Sequence, residues 1–189
     1  MIFNNRENEC VELKDGRKVW LSRATAVVAS IYVEDANGDW YVAMVKRGEG
    51  LPDEVGKWVM PCGYLDWDET IVDACKREVY EETGLNVDLI TNSSDDIHFY
   101  HNDYTEGQAS FVSSDPNGDA KQNISHHFVL AFSCGDNLPE FNRELINPKG
   151  EVADIQWIKF NELGELDEFN QIGFGHYKCI EQFVDMLEL

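Results

Sequence analysis

The run ATAVVASIYVE, Ala24–Glu34, constrains the fold more than any other stretch of the chain. It is almost wholly apolar and rich in β-branched residues, so it reads as a buried strand. The turn ANGD (Ala36–Asp39) returns the chain into a second strand, WYVAMVKR (Trp40–Arg47). ISHHFVLAFSC and VADIQWIKF read as strands further on, and LNVDLI and DIHFYHNDY as two more. Between the early and late strands lies a helix expected from about Glu69 to Thr83, with Asp68 as N-cap and Gly84 as its stop. A short helix precedes the last one, HYKCIEQFVDMLEL, where Tyr177, Ile180, Phe183, Val184 and Leu187 share a face. Strands, a helix, more strands and closing helices make an α/β chain, with a mixed sheet covered by helices on its faces. Thr105–Asn123, centred on Asp-Pro-Asn-Gly, reads as a loop.

A length of 189 residues suits one domain with a full core, and no internal boundary or repeat is evident. Residues 1–23 are set apart as an N-terminal extension, in which CVELKDGRKVWL forms a hairpin turning at Asp15-Gly16. Hydrophobic residues make up 43% and charged residues 27%, which excludes a disordered chain. The net charge of −21 repels a phosphate backbone, so no nucleic-acid partner is expected. An anionic small molecule is repelled too, unless a divalent cation stands between it and the protein. Five cysteines without a CxxC pair argue against a disulfide framework or zinc site and for a reducing, cytoplasmic setting. The opening MIFNNRENEC has no basic n-region or apolar core, so neither a signal peptide nor a membrane span is expected.

The chemistry gathers on the central helix, in REVYEETG (Arg77–Gly84). At about 100° per residue, Glu82 falls near +40° of Glu78 and Glu81 near −60°. Their arc borders the apolar stripe of Val72, Cys75 and Val79 instead of lying opposite it. Clustered carboxylates repel one another and call for a counter-charge; Arg77, four residues before Glu81, supplies one. A divalent ion would supply two, and all-carboxylate donors suit Mg²⁺ or Mn²⁺. EVYEE alone leaves both readings open, an ordinary solvated face and a metal cage.

The longer stretch GYLDWDETIVDACKREVYEETGL, Gly63–Leu85, carries more. Gly63 is followed after five residues by Glu69. Seven residues later come Arg77-Glu78, apolar Val79, Glu81-Glu82, Gly84 and apolar Leu85. Seven positions each demand one residue type, so chance agreement at a given start is on the order of one in 10⁸. The stretch resembles the Nudix box, with every specified position filled. The strand order is similar to the Nudix α/β/α sandwich from about Ala24 to the C-terminus.

The resemblance implies a pyrophosphohydrolase that uses Mg²⁺ or Mn²⁺ to cleave the diphosphate linkage of a nucleoside diphosphate joined to a group X. It implies catalytic roles for Glu78, Glu81, Glu82, Arg77 and Glu69. Glu78 and Glu82 are expected as direct metal ligands, and Glu81 as a third ligand or an aid in deprotonating water. Arg77 would orient a glutamate through a charge-assisted hydrogen bond, Glu69 would buttress the site, and Gly63 would permit a tight loop beside the metal. The family's usual PGG is PCG here, which gives the metal-binding carbonyl to Cys62. Asp66 and Asp68 stand where Glu and Gly are more usual. Glu151, six residues before Trp157, is the further metal ligand expected, and Arg47 is a candidate for a substrate phosphate. His126 and His127 alternate across a strand and receive no role. Tyr100, Tyr104 and Phe111 fit either base stacking or sheet packing.

Two alternatives on the same fold are a nucleotide-sensing module and an isoprenoid diphosphate isomerase. The intact glutamates and the 32 residues after Trp157 weigh against the sensor. For the isomerase, Cys62 gives little ground. No ADP-ribose marker proline follows the box, and X is not specified. Family members are often homodimers, so a homodimer paired through the N-terminal hairpin is the assembly to test.

Overall fold

The computed structural model describes residues 9–21, 25–93, 97–114, 116–117, 121–145 and 150–187. The hairpin comes first, with β1 (Glu9–Glu12) and β2 (Lys18–Leu21) pairing antiparallel as a two-stranded sheet. The main sheet is built from β3 (Thr25–Glu34), β4 (Trp40–Arg47), β5 (Trp58–Val59), β6 (Cys62–Tyr64), β7 (Phe99–Asn102), β8 (Phe111–Ser113), β11 (Ile124–Ser133) and β12 (Val152–Lys159). Its spine runs β12-β4-β3-β11-β7, with β5 on β4, β6 on β3 and β8 on β11. A minor pair, β9 (Pro116–Asn117) and β10 (Lys121–Gln122), forms its own ladder. β3 and β11 lie parallel over their whole length, from Thr25 opposite Ile124 to Glu34 opposite Ser133, and the other pairings are antiparallel. The sheet is therefore mixed.

The all-apolar reading of β3 follows from its place at the centre. Val27, Ala29, Ile31 and Val33 face the cluster under α1 (Ile71–Thr83). Val28 and Tyr32 face the opposite cluster, under α4 (Phe160–Glu168) and α5 (His176–Leu187). Period-2 alternation sends neighbours to opposite faces, and both faces are covered, which makes an α/β/α sandwich. Tyr32 stacks on Phe183 of α5 with ring centres 3.8 Å apart, anchoring the closing helix where its spacing had placed an apolar face.

Four local readings change. The central helix starts at Ile71, capped by Thr70, whose Oγ1 accepts from the Asp73 N–H at 3.2 Å. Asp68 is no cap: its φ of +65° turns the loop before the helix, in the left-handed region that suits the glycine more usual there. LNVDLI is not a strand but carries the short helix α2 (Val87–Thr91), because the Asn86 side chain accepts from the Leu89 N–H at 3.2 Å and starts a turn. DIHFYHNDY is strand only over β7, after which Asn102 caps α3 (Asp103–Glu106). The Thr105–Asn123 loop contains β8, since Phe111–Ser113 finds a partner in β11.

Candidate active site

β6 pairs with β3, Cys62 opposite Val28 and Gly63 opposite Val27, which sets the PCG loop beside α1. Ala74, Cys75 and Val79 bury the inner stripe of α1 in the core, so the glutamate arc is turned toward that loop. A β-carbon on Gly63 would fall 2.2 Å from Cδ and Oε1 of Glu78. The glycine thus leaves the space that the Glu78 carboxylate occupies.

Arg77 organises the acidic residues. Its side chain is 3% exposed. Nε and Nη2 fork onto Glu69 at 3.1 and 2.8 Å, and Nη2 also donates to the Tyr64 carbonyl at 3.0 Å. Nη1 donates to Glu78 Oε1 at 2.6 Å and reaches Glu81 Oε2 at 3.4 Å. Burial works against the guanidinium charge, but Glu69 and Glu78 more than offset it and hold its pKa above the usual value. Glu69 also accepts the Asp66 N–H at 2.6 Å, tying the loop to the helix.

Glu78 and Glu82 are one turn apart and share the loop-facing side. Glu82 Oε2 accepts the Cys62 N–H at 3.0 Å. Burial pushes the Glu78 carboxyl up to about 7; Arg77 pulls it down, and Glu81 and Glu69 push it further up. Burial also raises the Glu82 carboxyl well above its usual range, as does the charge of Glu78. The Cys62 N–H and Arg47 offset this in part, while Glu151 adds to it. Two carboxylates therefore face one another in a low-dielectric corner, and the strongest nearby cation, Arg77, is already divided among three acids.

The remaining expected residues surround this corner. Glu151 is exposed and directly precedes β12; its carbonyl accepts the Gly48 N–H at 2.7 Å, and its charge is felt at Glu82. Arg47 ends β4 and is buried, with Nη2 on Asp53 Oδ1 at 2.6 Å and Nε on the Asp53 carbonyl at 3.0 Å. Its guanidinium carbon lies 4.7 Å from the centre of the Phe174 ring. Arg47 is therefore held by Asp53 and Phe174, and its charge favours the ionised form of Glu82. The structure brings together Cys62, Glu78 and Glu82 by direct approach and Glu69 and Glu81 through Arg77, while Glu151 and Arg47 enter only as charges that shift the Glu82 carboxyl.

His127 lies elsewhere, buried on the α4–α5 face with Nε2 2.8 Å from Ser113 Oγ and its ring stacked on Phe111. Tyr104 is core, with its hydroxyl 3.3 Å from Cys75 Sγ. Tyr100 bonds Glu34 at the sheet edge. Sequence reading missed three groups. These are Asp53, the Tyr64 carbonyl, and the turn QIGFGH (Gln171–His176), whose only local signal is a glycine on each side of Phe174.

Fold and site together define an α/β/α sandwich protein with an acidic loop–helix site at one end of its sheet. A family model described as NUDIX domain matches residues 24–183. The chain belongs to the NUDIX family.

Among curated proteins, the m7GpppN-mRNA hydrolase NUDT17 of Danio rerio is 36% identical over 67 residues, covering 35% of this chain and 22% of that one. The RNA pyrophosphohydrolase of Bartonella henselae is 27% identical over 113 residues, covering 57% and 59%. The chain thus spans about a fifth of the first relative's length and under two thirds of the second's. Among solved structures, a bifunctional NMN adenylyltransferase/ADP ribose pyrophosphatase from Francisella tularensis superposes with a TM-score of 0.61 at 24% identity, over 86% of this chain and 41% of that one. That protein has also been solved complexed with AMP and a Mn ion. No helix among the described residues is long and apolar enough to cross a membrane.

Proposed function

We propose that the chain is a divalent-metal-dependent pyrophosphohydrolase that cleaves the diphosphate linkage of a small nucleoside diphosphate derivative. The observation that carries this reading is the pair Glu78 and Glu82, two buried carboxylates held together beside the Cys62 backbone with their charge incompletely offset.

Among the described residues, no three His, Cys, Asp or Glu side chains form a ready-made cage. Mg²⁺ would be held by one or two carboxylates, with further oxygen donors supplied by water and substrate phosphate. Glu78, Glu82 and the Cys62 carbonyl are the oxygen donors we assign to it, with Glu81 and Glu151 at the margin. When bound, the ion supplies charge neutralisation at the phosphate oxygens and acidifies water. The chain's own residues do the rest. Arg77 fixes the direction of Glu78 and draws on Glu81, Glu69 holds Arg77, and Gly63 leaves room for the carboxylate. Arg47 and the Cys62 N–H stabilise the charged form of Glu82.

Two curated relatives are named for RNA substrates, whereas the solved Francisella protein is named for ADP ribose. The net charge of −21 favours the small molecule. A panel of ADP-ribose, dinucleoside polyphosphates, NADH, coenzyme A and 5′-triphosphorylated RNA, assayed with Mg²⁺ or Mn²⁺, tests the reading. Turnover of at least one small diphosphate is expected; no turnover of any member contradicts it.

A further inference from the structure

The turn Gln171–His176 lies against β5, the strand before the PCG loop that carries Cys62. The Trp58 N–H donates to the Gln171 carbonyl at 2.8 Å, and the Gly173 N–H donates to the Trp58 carbonyl at 2.9 Å. Ile172 pairs with Trp58 as a parallel bridge. Two residues on, the Met60 N–H donates to Nδ1 of His176 at 3.0 Å, and both residues are buried. Two residues further, the Cys62 N–H donates to Glu82. The segment thus rests on the turn at Trp58 and Met60 and, past the bend at Pro61, meets the site glutamate at Cys62.

The turn is built against preference. Phe174 has a φ of +56°, a conformation that bulky L side chains disfavour, and Gly175 follows at +66°. Gly173 has no room for a side chain, since a β-carbon would lie 2.9 Å from Val59 Cγ1. This path sets the Phe174 ring beside Arg47, whose backbone N–H donates to the Lys57 carbonyl at 2.9 Å. His176 holds this segment at Met60, and Phe174 holds its start through Arg47.

We propose that His176 and Phe174 are positioning residues for the acidic site: His176 holds the Met60–Cys62 backbone, so that the Cys62 N–H meets Glu82, and Phe174 holds Arg47, whose own N–H ties the start of the same segment through the Lys57 carbonyl. The inference rests on the metal-dependent reading above. Partners that orient metal ligands change affinity or activity about 10–100-fold when removed.

The test is titration of Mn²⁺ alone, read by the electron-spin signal of the free ion, on the wild type and on His176→Leu, His176→Asn and Phe174→Gly. Asparagine can place an acceptor where Nδ1 stood, and glycine accepts the positive φ. His176→Leu and Phe174→Gly should weaken Mn²⁺ binding by about tenfold or more, His176→Asn should stay near wild type, and Phe174→Gly should not lower the melting temperature. If His176→Leu does not fold, the other two variants decide. Wild-type Mn²⁺ affinity in Phe174→Gly and His176→Leu overturns this inference alone. A His176→Asn variant as weak as His176→Leu removes the hydrogen bond as cause and overturns it too. A wild type that binds no Mn²⁺ overturns the metal reading and this inference with it.

Discussion

The carboxylate of Glu78 occupies the space into which a side chain on Gly63 would grow, with Cδ and Oε1 both 2.2 Å from the would-be β-carbon. The clashing atoms are the far end of a flexible side chain, so the fold can yield by swinging Glu78 away. Gly63→Ala should therefore cost little stability and much activity. A melting curve within a few degrees of wild type, with kcat/KM reduced at least about tenfold, is the expected result.

Arg77 should not tolerate lysine. Its five N–H donors serve Glu69, Glu78, Glu81 and the Tyr64 carbonyl, and an ammonium cannot reproduce a fork onto Glu69. Removing one partner from a buried charge network typically costs about 3–5 kcal/mol. Arg77→Ala should lose stability on that scale in urea unfolding, and Arg77→Lys should recover only part of it.

Metal should matter to stability in a pH-dependent way. The folded-state pKa of Glu78 is raised to about 7, and that of Glu82 is also raised. A carboxyl with a raised pKa binds protons more tightly in the native state, so stability falls as pH rises from the unfolded value near 4.5 through 7. For Glu78 a shift of this size corresponds to roughly 3 kcal/mol. In EDTA the melting temperature should decline from pH 6.5 to pH 8, above the range in which the buried histidines act, and saturating Mg²⁺ should remove the decline. A Mg²⁺ effect equal at pH 5 and pH 8 would count against the carboxylate pair as its site.

The histidines act in the opposite sense. Burial lowers the pKa of His127 to about 4 and that of His176 to about 3, with lesser contributions from His126 to the first and from His127 and Arg47 to the second. Groups depressed on folding stabilise above their unfolded pKa of about 6.5, and that stability is lost as pH falls toward 3. His127 Nδ1 is buried with no partner. His127→Phe should move the acid-unfolding midpoint, followed by circular dichroism, to lower pH.

Much of the site was legible because its signal is local. Gly63, Glu69, Arg77 and the three glutamates fall within one loop and helix, where fixed spacing carries the geometry. The long apolar run of β3 likewise announces a strand covered on both faces. Short segments misled for a physical reason: over the five residues of α2, period 2 and period 3.6 are hard to separate, and the Asn86 cap decides. Asp68 looked like a cap by residue type, yet the bond that starts the helix comes from Thr70. The contacts that escaped are long-range. The bond from Met60 to His176 spans 116 residues, and no local pattern marks its partner.

The central claim is that Glu82, beside Glu78, carries metal-dependent cleavage of a diphosphate. The most direct measurement is the metal-dependent rate of nucleoside monophosphate release by wild type and Glu82→Gln, on whichever small diphosphate the wild type turns over. Glutamine keeps the shape and an acceptor for the Cys62 N–H but removes the charge. The account predicts an intact fold with kcat lowered by about 10²-fold or more. A folded Glu82→Gln protein that cleaves at the wild-type rate would contradict it.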